Sequence, residues 1–196
     1  MASDRPGTDT AAATSDTGVV DRLRNLAWLT VAIAGLFMVI GGAYALKEGM
    51  DARNQVRDKL ELQQIVTPED ASIPNTLVNS VETAESMAEI IEQHARESTG
   101  GLGYAEMGRF MTPDGDPAGT NDADEAVIGD NGQPVANPLR NVAFQASALQ
   151  TSLYTSVMAF QVSNLVMGLG LAFILLGLGT WVVGVPTVWA VTKRRA

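Results

Sequence analysis

Residues Val162 to Val185 read VSNLVMGLGLAFILLGLGTWVVGV, 24 residues without an ionisable side chain, and no other feature of this chain constrains its fold as strongly. As a helix rising about 1.5 Å per residue, this run would extend roughly 36 Å, enough to cross a bilayer. Ser156, Ser163, Gly170, Gly177 and Gly184 recur every seven residues through it. At about 3.5 residues per turn that period keeps small residues on one side of a helix, where they invite close approach by another. The same register continues upstream through Leu149 and Val142, so the helix is expected to begin outside the membrane, after Pro138.

A second uncharged run, Leu26 to Leu46, follows Arg22 and Arg24 and also matches the hydrocarbon thickness. Ala43-Tyr44-Ala45 has the small-x-small form of a signal cleavage site, but the run exceeds the roughly 7 to 15 apolar residues of a signal core. An uncleaved anchor is therefore the preferred reading. Gly35, Gly42 and Gly49 again lie seven apart, so the two apolar helices are expected to pack on each other through these eight small positions. The competing explanation is that glycine is simply common in membrane helices.

The 46% hydrophobic content is concentrated in these two blocks, which leaves the remainder polar. A formal charge of −9 is opposite to what phosphate neutralisation requires, so nucleic-acid binding is not expected. Without cysteine there is no disulfide framework, thiolate metal site or thiol nucleophile. The single histidine, His94, excludes within one chain any site that needs two imidazoles. No phosphate-binding loop, dinucleotide fingerprint or Ser, His and Asp constellation is present, and neither a cofactor nor a metal is expected.

Residues 1–25 are largely Ala, Ser, Thr, Asp and Gly, and are read as a disordered tail. Helix 1 (26–46) should continue as a solvated helix through Lys47 to Gln64, with Val56 and Leu60 extending its apolar edge. Thr67-Pro68-Glu69-Asp70 resembles a helix restart, with Thr67 as cap and Pro68 at the first helical position. From Asn75 the apolar positions Leu77, Val81, Ala84, Ala88, Ile91 and Ala95 predict an amphipathic helix ending at Gly100-Gly101. Tyr104 to Phe110 suits one short turn of helix. Residues 111–138 hold six acids, no base and many turn residues, and predict an irregular acidic loop. Within it Asp114, Asp116, Gly119, Asp122 and Glu125 fall at calcium-loop spacing, but Ala118 occupies a ligand position and no flanking helix pair exists, so a solvated loop is preferred.

His94 lies at the edge of the apolar stripe with Glu97 about one turn on; a hydrogen-bonded structural histidine is the simpler reading, and a ligand or proton site at His94 and Glu97 the sharper one. Gln161 and Asn164 face alike near the end of the second span and suit interhelical hydrogen bonding. Basic residues flanking the spans are balanced in number between the two sides. The compact, acid-free end Lys193-Arg194-Arg195, with Arg22 and Arg24, favours both termini in the cytoplasm. Trp28 and Trp189 would then mark the inner interface and Tyr44 the outer one.

The stretch Ala88 to Glu106, AEIIEQHARESTGGLGYAE, resembles an uncharacterised family of actinobacterial two-span membrane proteins that share an I-x-x-H-A-x-E-x-x-G-G-x-x-Y-A-E-like motif. The similarity extends through Gly132 to Pro138 and through Ser152 to Gly170. It implies the same two-span topology. Some family members are labelled aromatic ring-opening dioxygenases, a chemistry whose iron typically needs two histidines and a carboxylate, which one histidine cannot supply.

The expected fold is an all-α membrane protein: two antiparallel transmembrane helices, a mainly helical extracytoplasmic domain (47–154) carrying the acidic loop 111–138, a second span with its extension (155–189), and a basic cytoplasmic tail (190–196). The expected function is that of a multi-pass plasma-membrane accessory or interaction protein without catalytic activity, embedded in the lipid bilayer and bound to a membrane-protein partner or a second copy. The alternative is an extracytoplasmic sensor or ligand-binding module acting through a partner; a membrane enzyme and a small multi-copy channel rank below both.

Overall fold

The computed structural model describes residues 26–194. The tail expected over 1–25, with Arg22 and Arg24, and Arg195 of the basic end lie outside the described residues. The described chain is all-helical: α1 (Ala27–Gln63), α2 (Val81–Ser98), a 3-10 turn (Tyr104–Glu106), α3 (Pro138–Gly179), a π-helical turn (Thr180–Gly184) and α4 (Val185–Arg194). No strand forms among the described residues, only isolated antiparallel bridges.

Two helical stretches, Ala27–Gln63 and Pro138–Lys193, are long and apolar enough to cross a membrane. In the most apolar part of each, 11% is buried, whereas the core helix of a soluble protein would be mostly covered. Bulky side chains such as Phe37, Leu165, Leu175 and Val182 stand exposed along them, as a hydrocarbon solvent would allow. The π turn sits just before Pro186, which has no N–H to donate and whose ring crowds the carbonyl of the preceding turn. Widening the turn relieves the clash, and the Val185 N–H bonds Thr180 O instead.

The chain divides into two compact units, one of residues to Met50 together with Leu165 onward, the other of Asp51–Asn164. The core of the second unit joins Leu60 of α1, Val78, Ala84 and Ala88, and Leu153, Val157 and Phe160 of α3, with Val56, Ile65, Met87 and Ile91 packed around it. Phe160 is its largest fully buried side chain. Helix α2 presents small residues to this core on one face, so the neighbouring helices can pack closely on it.

Two expectations about helix starts fail, for one reason. The helix expected from Asn75 begins at Val81, and Thr67-Pro68 starts none. Residues 65–78 fold instead into a tight hairpin-like loop, in which Thr67 N–H donates to Thr76 O (2.9 Å), Asn75 N–H to Thr67 O (3.0 Å) and Val78 N–H to Ile65 O (2.8 Å). The Thr67 hydroxyl is buried within the loop, donating to Ile73 O and accepting from Thr76 N–H. Asn75 takes a positive φ of 50°, which asparagine tolerates better than most residues. The start of α2 is set by a capping box: Ser80 Oγ accepts from Thr83 N–H (3.3 Å) and Thr83 Oγ1 from Ser80 N–H (3.1 Å). Its end is a Schellman closure, with Gly101 N–H on Arg96 O (2.7 Å) and left-handed Gly100 (φ 65°).

The acidic segment is irregular in having no strand, but it is firmly pinned. Phe110 and Thr120 exchange two backbone bonds of 2.9 Å, Met111 N–H donates to Val135 O, Val127 N–H to Met111 O, and Asn137 N–H to Arg109 O. A side chain at Gly108 would collide with the Thr120 backbone, and one at Gly119 with Phe110 O. The segment ends on buried Asn137, whose Oδ1 accepts from Leu139 N–H (3.0 Å) and whose Nδ2 donates to Pro117 O (3.1 Å). Asn137 caps α3, and Pro138 fills the position where a missing N–H costs nothing.

Candidate functional site

The small residues of the apolar helices divide sharply by environment. Gly35, Gly42, Gly49, Ser163, Gly170 and Gly177 are buried, and Ser156 and Gly184 are half-buried. A Cβ at Gly42 would lie 2.5 Å from Gly170 O, one at Gly170 2.7 Å from Gly42 O and from Leu46 N, and one at Gly177 2.6 Å from Gly35 O. At Gly35 it would meet Trp181 Cδ1 at 2.5 Å and Gly177 O at 3.1 Å. The backbones therefore touch where no side chain intervenes, and only glycine fits there. Gly41, Gly168 and Gly179, outside the seven-residue register, face open space. Abundance of glycine alone would not sort the two sets.

Trp181 closes one end of this contact by donating its indole Nε1–H to Ala32 O at 2.8 Å, satisfying a polar atom that hydrocarbon could not. Gly184 is looser, its Cβ position 3.3 Å from Val31 Cγ1. In the other unit Ser163 and Ser156 turn their hydroxyls onto their own helix, to Ala159 O and Ser152 O.

His94 and Glu97 do not form a pair. His94 Nε2 meets Asp70 Oδ2 at 2.7 Å, whereas Glu97 Oε1 accepts from Gln93 Nε2 at 2.9 Å. The hydrogen bond from His94 is the main reason the Asp70 carboxyl lies below its ordinary pKa. Together with Ser86, whose Oγ accepts from Ile73 N–H and from the Ser72 hydroxyl, His94 ties the 65–78 loop to α2. Asp70 is 24 residues away in sequence, and no spacing rule pointed to it. Asn164 finds Arg53, whose Nη1 donates to Oδ1 at 2.8 Å, while Gln161 remains exposed.

The calcium-like spacing does not converge on a site. Asp114, Asp116 and Asp122 each fold back to accept a backbone N–H two residues on, and Glu125 accepts from the Thr120 hydroxyl. Among the described residues no three acidic or histidine side chains are grouped to hold an ion.

The Asp51–Asn164 unit also has an open groove of about 680 Å³, with walls of Val56, Leu60, Met87, Ile91, Leu149 and Leu153. Sequence reading found Val56, Leu60 and Ile91 as apolar edges but not their convergence with α3. Comparison of the chain with protein-family models, with curated proteins and with solved structures finds no match.

Proposed function

We propose that this chain is a plasma-membrane accessory protein without catalytic activity of its own: two antiparallel spans that hold a helical domain outside the cytoplasmic membrane, acting through a membrane-protein partner or a second copy. The observation that carries the pair of antiparallel spans is the pairing of Gly35 with Gly177 and of Gly42 with Gly170. One number rises by seven as the other falls by seven, the register of helices running in opposite directions. Because these glycines are occupied within the chain, partners are expected on the outward faces of the spans. Cytoplasmic termini are favoured by the acid-free basic end Lys193-Arg194-Arg195, and Trp189, with the Lys193 ammonium 4.3 Å from its ring centre, suits a membrane interface.

The test has two arms. The chain lacks cysteine, so a single cysteine at exposed Asp130 should react with an impermeant maleimide on intact cells and one at Lys193 should not. Reversed labelling would overturn the orientation. Purification in mild detergent with crosslinking and mass spectrometry should return a reproducible membrane partner or a homo-oligomer, and a strictly monomeric protein without partners would overturn the interaction reading.

The alternative, an extracytoplasmic sensor acting through a partner, is favoured by the exposed His94–Asp70 contact, which ties the 65–78 loop to α2 at the surface. Thermal shifts of the full chain against pH, calcium and small metabolites test it. Flat responses to all three would sink it.

A further inference from the structure

The chain carries a net charge of −9, yet two of its arginines, Arg109 and Arg140, line one open concavity of about 520 Å³ without a carboxylate partner among the described residues. Arg140 is held in place: its Nε–H donates to Met107 O at 3.1 Å and its guanidinium lies 4.1 Å from the centre of the Tyr104 ring. Among the described residues its terminal nitrogens meet no hydrogen-bond acceptor. Arg109 contributes a second guanidinium, 5.6 Å from the centre of the Phe110 ring. Phe144, 52% exposed and with its ring centroid 5.6 Å from that of Tyr104, supplies the open aromatic wall. Two cationic residues lining one cavity favour an anion there, and the exposed Phe144 ring beside them offers a face to an apolar body.

The geometry points to this concavity as a binding site for a small organic carboxylate with a flat apolar body, the carboxylate held by Arg109 and Arg140 and the body against Phe144. The guanidinium fork matches a carboxylate through two parallel hydrogen bonds, which a lysine pair would not. Asn141 adds an amide to the same cavity. The site lies in the Asp51–Asn164 unit and goes beyond the membrane-accessory reading, on which it does not depend.

The probes are benzoate, acetate, inorganic phosphate and benzyl alcohol, titrated calorimetrically into the full chain in detergent micelles, with empty micelles subtracted. Benzoate should bind saturably and more weakly as salt rises; acetate and phosphate should bind at least tenfold more weakly, and benzyl alcohol not at all. Arg109→Gln should weaken benzoate about tenfold, the scale of one lost charged hydrogen bond, and Arg109→Lys should recover only part of it. Phe144→Ala should bring benzoate down to the level of acetate. Each variant is checked for unchanged helix content by circular dichroism. No saturable benzoate binding, equal binding in the Arg109→Gln chain, or acetate or phosphate binding as tightly as benzoate would overturn the site.

Discussion

Replacing Gly170 with Ala inserts one methyl group where the backbones meet, 2.7 Å from both Gly42 O and Leu46 N. Ordinary van der Waals contact needs at least 3.4 Å, so the two helices must separate by several tenths of an ångström. The obstructing atoms are backbone and cannot rotate away. Overpacking of this kind costs about 1 to 3 kcal/mol. Alanine also favours helix over glycine by up to about 1 kcal/mol, which would mask part of the cost. Gly168→Ala supplies the correction, because it lies in the same helix and its Cβ would meet nothing within 4 Å. The difference between the two variants therefore isolates the steric effect, a factor of roughly five to a hundred or more in the unfolding equilibrium. Reversible unfolding in mixed micelles with rising SDS, followed by tryptophan fluorescence, measures it. Gly42→Ala against Gly41→Ala repeats the comparison on the other helix, with the added methyl 2.5 Å from Gly170 O in the first and in open space in the second. Equal stability within each matched pair would refute the claim that close backbone packing depends on these glycines.

Asn137→Ala should cost about 0.5 to 2 kcal/mol through loss of the α3 cap, with faster amide exchange at Leu139 and Arg140, while Asn137→Asp should retain most of the cap. Phe160→Ala should destabilise the Asp51–Asn164 unit by about 3 to 5 kcal/mol, read as a lower midpoint in thermal unfolding. The Asp70 carboxyl lies below its ordinary pKa chiefly through the His94 hydrogen bond, so the associated stability is present above the unfolded pKa and is lost as pH falls through the folded one. In His94→Ala the Asp70 carboxyl should titrate closer to its ordinary range by NMR, and an unchanged titration would refute the assigned cause.

Local pattern alone determined the two apolar helices, because an uncharged run of such length has few alternatives to a membrane helix. It also located the start of α3 at Pro138 and the close of α2 at Gly100-Gly101, where a residue's own backbone preference decides the outcome. In the apolar helices the seven-residue spacing coincides with burial at Gly35, Gly42, Gly49, Gly170 and Gly177 but not fully at Gly184, since period maps onto helix face while packing distance does not follow from it. Tertiary structure decided the rest. The apolar period that begins at Leu77 predicts a helix from Asn75, but the amides of Asn75, Thr76 and Val78 are taken by Thr67 and Ile65, so α2 starts only at the Ser80 cap. His94 paired with Asp70 instead of Glu97 because the folded 65–78 loop brings the distant carboxylate to its ring. Arg109 and Arg140 are separated in sequence by the acidic segment and line one concavity because the Asn137 N–H bonds Arg109 O and draws the start of α3 to it. Periodicity reports on one helix at a time, whereas loop closure and charge convergence are set by contacts between residues far apart in the chain.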